Sequence, residues 1–160
     1  MKARPIVLGA DETPHAAATR ILAIRFSEAL LLSDALDDGD PGRIHAFRIA
    51  CKRVRYASEL FGDQMRAQLH EVTSVLAQLQ DLLGEVHDCD VLDALAMRSG
   101  AYRLRRRIAR DRRRKLEAAR RLWRTSLRQN GELQAAAALV LPLRAAISSS
   151  QLHLVSGGKA

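Results

Sequence analysis

The sequence predicts an all-α protein, an antiparallel helical bundle with long basic-faced helices. Three observations carry this. Alanine, leucine and arginine are abundant while aromatic residues make up only 4% of the chain, a composition that favours helix over sheet. Apolar residues at Met65, Leu69, Val72, Leu76, Leu79 and Leu83 follow a 4-3-4-3-4 spacing, the seam of a bundle. No strand-like alternation is present, and short breaks between long periodic segments imply antiparallel neighbours.

A chain of 160 residues reads as one domain, long enough to bury a core without disulfides. Residues 1–12 have no periodicity and read as a leader or tail. Thr13-Pro14 is an N-cap followed by proline in the first turn, and opens a helix expected to run to about Leu36. "DDGDPG", Asp37 to Gly42, is a breaker. A second helix then runs to Phe61-Gly62. The seam defines a third, for which Gly84 is the expected stop. Asp88 is the expected N-cap of a short fourth helix through Arg98, broken at Ser99-Gly100. An arginine-rich helix spans about Ala101 to Arg128. An alanine-rich one, Glu132 to Ile147, completes the domain 13–147, and 148–160 reads as a flexible C-terminal tail.

Cys51 and Cys89 have no paired spacing and read as reduced thiols of a cytoplasmic protein. No stretch resembles a signal-peptide hydrophobic region, and no apolar run is long enough for membrane insertion.

The formal charge is +8, and one segment produces it. Ala101 to Arg128 holds 13 Lys+Arg against Asp111 and Glu117, a net of +11; the rest holds 13 against 16 acids, a net of −3. Such polarity points to an anionic partner.

Where on their helices do the cations fall? In "HAFRIACKRVRY", His45 to Tyr56, a helical wheel puts Phe47, Ala50, Cys51 and Val54 on one side. His45, Arg48, Lys52 and Arg55 fall opposite, within a stripe roughly 80° wide. In the arginine-rich helix Arg103, Arg107, Arg110, Arg114, Arg121, Arg124 and Arg128 cluster within roughly 100°. Leu104, Ile108, Leu116, Leu122, Trp123 and Leu127 lie mostly on the other side, and Arg105 and Arg112 fall near the apolar sector, where they are expected to snorkel.

A basic stripe on one helix is ordinarily a solvated face. Two in one chain, the longer almost without acids to pair it, are harder to explain so. Like charges at i,i+3 and i,i+4 destabilise a helix by about 0.2–0.5 kcal/mol per pair. Guanidinium forks suit phosphate oxygens, and cations recurring every ~5–6 Å suit closely repeated phosphates. No glycine-rich phosphate loop is present. Only Tyr56 and Tyr102 are candidates for base stacking. These residues point to a linear polyanion read by charge.

At this point the sequence resembles a known family. "HAFRIACKRVRYASELFG" is similar to the H-x-x-R-φ-x-x-K-R-φ-R-Y signature of the CHAD family, the conserved histidine α-helical domain. "LAQLQDLLGEVHDCDVL", Leu76 to Leu92, resembles its L-x-x-LQ-x-x-LG-x-x-x-D-x-x-V/L segment. The likeness covers Leu22 to about Leu95, and the arginine-rich helix more loosely. It implies an all-helical protein that binds inorganic polyphosphate without catalysis, associated with polyphosphate granules or with triphosphate-processing domains. His45, Arg48, Lys52, Arg53 and Arg55 match the motif and inherit the binding role. On the second helix Arg103, Arg106, Arg107, Arg110 and Arg114 are the candidate contacts. The chain departs from the pattern twice. His87 stands where the family usually has arginine, and there is one motif copy where members usually carry two bundles in tandem. A second bundle comes from another subunit, which makes a homodimer an expected partner arrangement, or a shorter surface suffices.

His45 is otherwise a helix-terminal histidine in partial solvent. "HDCD", His87 to Asp90, lacks a standard zinc spacing, and capping explains Asp88, so no metal is expected. No nucleophile–base or carboxylate pair stands out, so neither catalysis nor a cofactor is expected. Two rivals remain: a nucleic-acid binder using the arginine-rich helix, which the scarcity of exposed aromatics disfavours, and an adaptor docking an acidic protein.

Overall fold

The computed structural model describes residues 5–7, 9–127 and 133, and side chains throughout these except for 62–68. Among these residues four long helices and a single-turn one follow each other: α1 (Pro14–Leu32), α2 (Ala35–Asp38), α3 (Pro41–Leu60), α4 (Gly62–Arg98) and α5 (Tyr102–Ser126). No strand occurs among the described residues. The fold is the all-α bundle expected. α1 packs on α3, α3 on α4 and α4 on α5, while α2 touches both α3 and α5.

Helix starts follow their local chemistry. The Thr13 hydroxyl accepts from the Ala16 N–H at 3.3 Å, with Pro14 in the first turn. Asp40 accepts from the Arg43 N–H at 2.8 Å, with Pro41 in the first turn of α3. These caps satisfy N–H groups that have no partner within the helix. The first helix ends earlier than expected: Ser33 turns its hydroxyl back onto the Leu30 carbonyl at 2.8 Å. α2 then closes on Gly39 in the left-handed region, φ 73°.

The larger correction is α4. Gly84 does not stop a helix and Asp88 does not cap one; a single 37-residue helix runs through both. Interior glycine costs about 1 kcal/mol relative to alanine. That is small against the burial that continues past it, since Val86, Cys89 and Ala96 are all buried. The helix ends at Ser99-Gly100. The Ala101 N–H donates to the Ala96 carbonyl at 2.9 Å, the Gly100 N–H to the Met97 carbonyl at 3.3 Å, and Gly100 takes φ 68°. This is a Schellman end, which requires a left-handed residue.

The core joins Phe26 of α1, Phe47 of α3, Leu76, Leu79 and Leu83 of α4, and Trp123 of α5. Phe47 and Trp123 meet edge-to-face at 5.1 Å. Leu69 and Val72 continue the seam in the buried set, while the Met65 side chain lies outside the described ones. Cys51 and Cys89 are free, buried thiols, and burial pushes both above the usual thiol range. Arg128 and all but Leu133 of the expected alanine-rich helix, with the 148–160 tail, lie outside the described residues. No described helix is long and apolar enough to cross a membrane.

Candidate functional site: two basic faces on either side of one helix

Burial of Ile44, Phe47, Cys51, Val54 and Ser58 sets the rotation of α3. Its basic residues are thereby carried onto the shoulder next to α4. The exposed His45 ring lies 5.6 Å from that of His87 on α4. Arg55 donates from Nε to the Gln80 side-chain oxygen at 3.1 Å and from a terminal nitrogen to Glu59 at 2.8 Å. Its guanidinium lies 4.9 Å from the Tyr56 ring centre, and the Lys52 ammonium lies 5.9 Å from the same ring. Arg48 is half-buried, and its Nε is shielded from solvent with no hydrogen-bond partner among the described residues. The Gln80 amide nitrogen is in the same condition. Two donors without acceptors thus lie on adjacent helices, in a setting where an unmade hydrogen bond is costly. Arg53, half-buried, sits roughly 100° round α3 from Lys52 and so outside this row.

On α5 the cations divide into two sets. The inward set is neutralised. Arg105 makes two bonds to Asp93 at 2.9 and 3.0 Å. Arg112 reaches Asp90 at 2.5 Å and the Gly39 carbonyl at 2.9 Å. Lys115 pairs with Glu85 at 3.3 Å. Arg120 bonds the Leu36 carbonyl at 3.1 Å and pairs with Asp37 at 3.0 Å. Arg124, of the outer stripe and 62% exposed, also reaches that aspartate at 2.8 Å. Along α4 the acids run forward as their partners on α5 run backward, as an antiparallel hairpin about Gly100 demands. Arg105 and Arg112 therefore turn to α4 carboxylates instead of snorkelling to water. The hydrogen bond from Arg105 holds the Asp93 carboxyl below its usual range and raises the guanidinium.

The outward set is different. Arg103, Arg106, Arg107 and Arg110 are exposed and make no ion pair with a described residue. Arg114 is 78% exposed, with Asp111 at 3.6 Å. Arg113 and Arg121 belong with this set, and sequence reasoning did not single out Arg113.

The two faces reach α4 on different sides. The α3 row meets it at Gln80 and His87, and α5 meets it at Glu85, Asp90 and Asp93. On the α4 wheel Gln80 and His87 project roughly 120–140° from Asp93. Sequence reasoning missed Gln80, whose signal was its seven-residue spacing from His87 on one side of α4. A hollow between the 39–41 turn and α5 is lined by Asp90, Asp93, Tyr102, Arg105, Arg106 and Arg112. Its two aspartates already pair with two of its arginines, which leaves it far less positive than either face. Among the described residues no group of three or more His, Cys, Asp or Glu side chains converges as a metal site would require.

No curated protein and no solved structure is detectably similar to the chain. Residues 2–97 match the family model of the CHAD domain, a match that includes the α3 row, Gln80 and His87 and ends before α5 begins. With more than half of its length so matched, the chain belongs to the CHAD domain family.

Proposed function

We propose that the protein binds inorganic polyphosphate, without catalysis, on two basic faces, one carried by α3 and one by α5, which replace the single groove that two converging stripes would have formed. His45, Arg48, Lys52 and Arg55 form the row on α3, with Arg53 contributing from its flank. Arg103, Arg106, Arg107, Arg110 and Arg114 form a second positive face on α5. The observation that carries this reading is the division of the α5 cations. Each inward one has a carboxylate or carbonyl, while Arg103, Arg106, Arg107 and Arg110 on the outer side have no carboxylate partner among the described residues and Arg114 has only Asp111 at 3.6 Å. Cations at ~5–6 Å intervals on a helix match a chain of linked phosphates better than an isolated anion. Membership of a family linked to polyphosphate supports the same ligand. The setting consistent with it is the cytoplasm, at polyphosphate granules, with a second copy of the chain as protein partner.

The test is titration with long-chain polyphosphate, with DNA and RNA as competitors at equal phosphate concentration. The reading expects polyphosphate to win and affinity to fall steeply with salt. Preference for duplex DNA or for RNA would make this a nucleic-acid binder. Indifference to all three would point to an acidic protein as the ligand.

A further inference from the structure

The C-terminal part of α4 carries an apolar strip that nothing described covers. His87 lies beside His45, only four residues from the start of α3 at Pro41. Beyond that level α4 outruns α3. Its inner side still packs on α5 through Cys89, Ala96 and Ile108. Its outer side exposes Val91 at 47%, Leu92 at 51% and Leu95 at 53%. Leu104 of α5 is likewise 50% exposed. Contiguous apolar surface of this kind on a soluble protein marks a contact surface.

The strip also has a charge pattern. Asp88, Val91, Leu95 and Arg98 are spaced 3-4-3, so they share one face of the helix in the manner of a two-helix seam. One end is acidic, with the Asp88 carboxylate 78% exposed. The other end is basic, with Arg98 exposed and in no ion pair with a described residue. Turn this strip about a two-fold axis at the level of Asp93. Val91 then faces Leu95 of the other copy, and Asp88 faces Arg98 of the other copy. Each layer occurs twice, as two-fold symmetry requires. The two central layers are apolar and the two outer ones pair opposite charges. A different acidic or basic partner would satisfy only one end.

We propose that this strip is a homodimer contact, in which α4 of one chain packs antiparallel on α4 of a second, centred at the level of Asp93. This deepens the homodimer part of the proposed function; the seam adjoins the α3 row, with His87 Nδ1 3.8 Å from the Asp88 carboxylate, and needs no polyanion.

Its test is therefore made without polyphosphate, by sedimentation equilibrium of the full chain over a range of concentrations. A monomer–dimer equilibrium is expected. Asp88→Arg sets Arg against Arg in two layers and Arg98→Asp sets Asp against Asp, so either weakens the dimer by about tenfold or more. Both positions are exposed, and circular dichroism checks that the variants fold. Mixing the two variants places Arg against Asp in both outer layers and restores a dimer of one copy of each. A wild-type chain that stays monomeric at every concentration overturns the proposal. So does a dimer indifferent to both substitutions, although the homodimer reading would then survive on another surface. A dimer broken by each change and not restored by mixing also overturns it, because the pairing would be wrong.

Discussion

Arg55 of α3 and Gln80 of α4 are joined across the helix interface, the guanidinium Nε–H donating to the amide oxygen at 3.1 Å. The other end of the amide, its nitrogen, is buried with no partner among the described residues. A neutral side chain thus aims a cation while holding a spare donor beside the basic row.

The first prediction follows from that pair. Gln80→Leu keeps roughly the volume and removes the unpartnered amide. Losing the bond to Arg55 and losing the orphaned donor nearly offset, so stability changes by about 1 kcal/mol or less. Polyphosphate affinity falls severalfold, because Arg55 is left to Glu59 alone. Melting curves and titrations on the same preparation separate the two effects. Unchanged affinity would show that Arg55 binds, if at all, without help from α4.

Replacing Arg48, Lys52 and Arg55 together by alanine tests the row itself. None of the three belongs to the buried core, so the fold persists. Polyphosphate affinity drops by about tenfold or more, and the dependence of log K on log salt becomes shallower by about one for each phosphate that the row no longer neutralises. A large fall in melting temperature with affinity intact would make the row structural.

The acid side of the α4–α5 hairpin gives a pH prediction. Arg105 holds the Asp93 carboxyl below its usual range, so the folded chain keeps this group ionised to lower pH than the unfolded chain does. The unfolded state therefore takes up the proton first as pH falls. The pair stabilises the fold above pH ~4 and loses that contribution progressively below it. Asp93→Asn should melt at lower temperature than wild type at pH 7, and the difference should shrink on acidification. A constant difference from pH 7 to pH 2 would show that the ionised pair does not contribute.

Gly84 gives the fourth. A Cβ at this position would meet no described atom within 4 Å, and the helix runs straight through it. Gly84→Ala should therefore stabilise the protein by about 0.5–1 kcal/mol, raising the melting temperature by a few degrees. A loss of stability would mean that something close to the helix needs the missing side chain.

How much of this was legible in the sequence depends on whether a feature is local. Thr13-Pro14 is a complete signal over a few residues, and the first helix starts where it predicts. Asp40-Pro41 is the same kind of pair, read in the sequence only as part of a breaker, and α3 starts on it ahead of the His45 stretch. The leucine seam likewise names its own buried side. Gly84 and Asp88 misled because each is a stop or start signal only when nothing else holds the helix. Here Val86, Cys89 and Ala96 are buried beyond them. Arg105 and Arg112 illustrate the other limit. Their partners, Asp93 and Asp90, can be named only once the hairpin register about Gly100 is known. The α3 row was legible as a row, but that Gln80 and His87 line it depends on how α3 sits against α4.

The bonds from Arg112 to the Gly39 carbonyl and from Arg120 to the Leu36 carbonyl bear on where this protein can be cut. Both arginines lie on α5, beyond the end of the family match at residue 97, and both hold the turn that launches α3. A fragment trimmed to the matched stretch would keep the α3 row and lose the clamps on the turn before it, together with the indole packed against Phe47. The border of family likeness and the border of the cooperative folding unit are thus different places in this chain. The shorter piece would carry the signature residues without the scaffold that presents them.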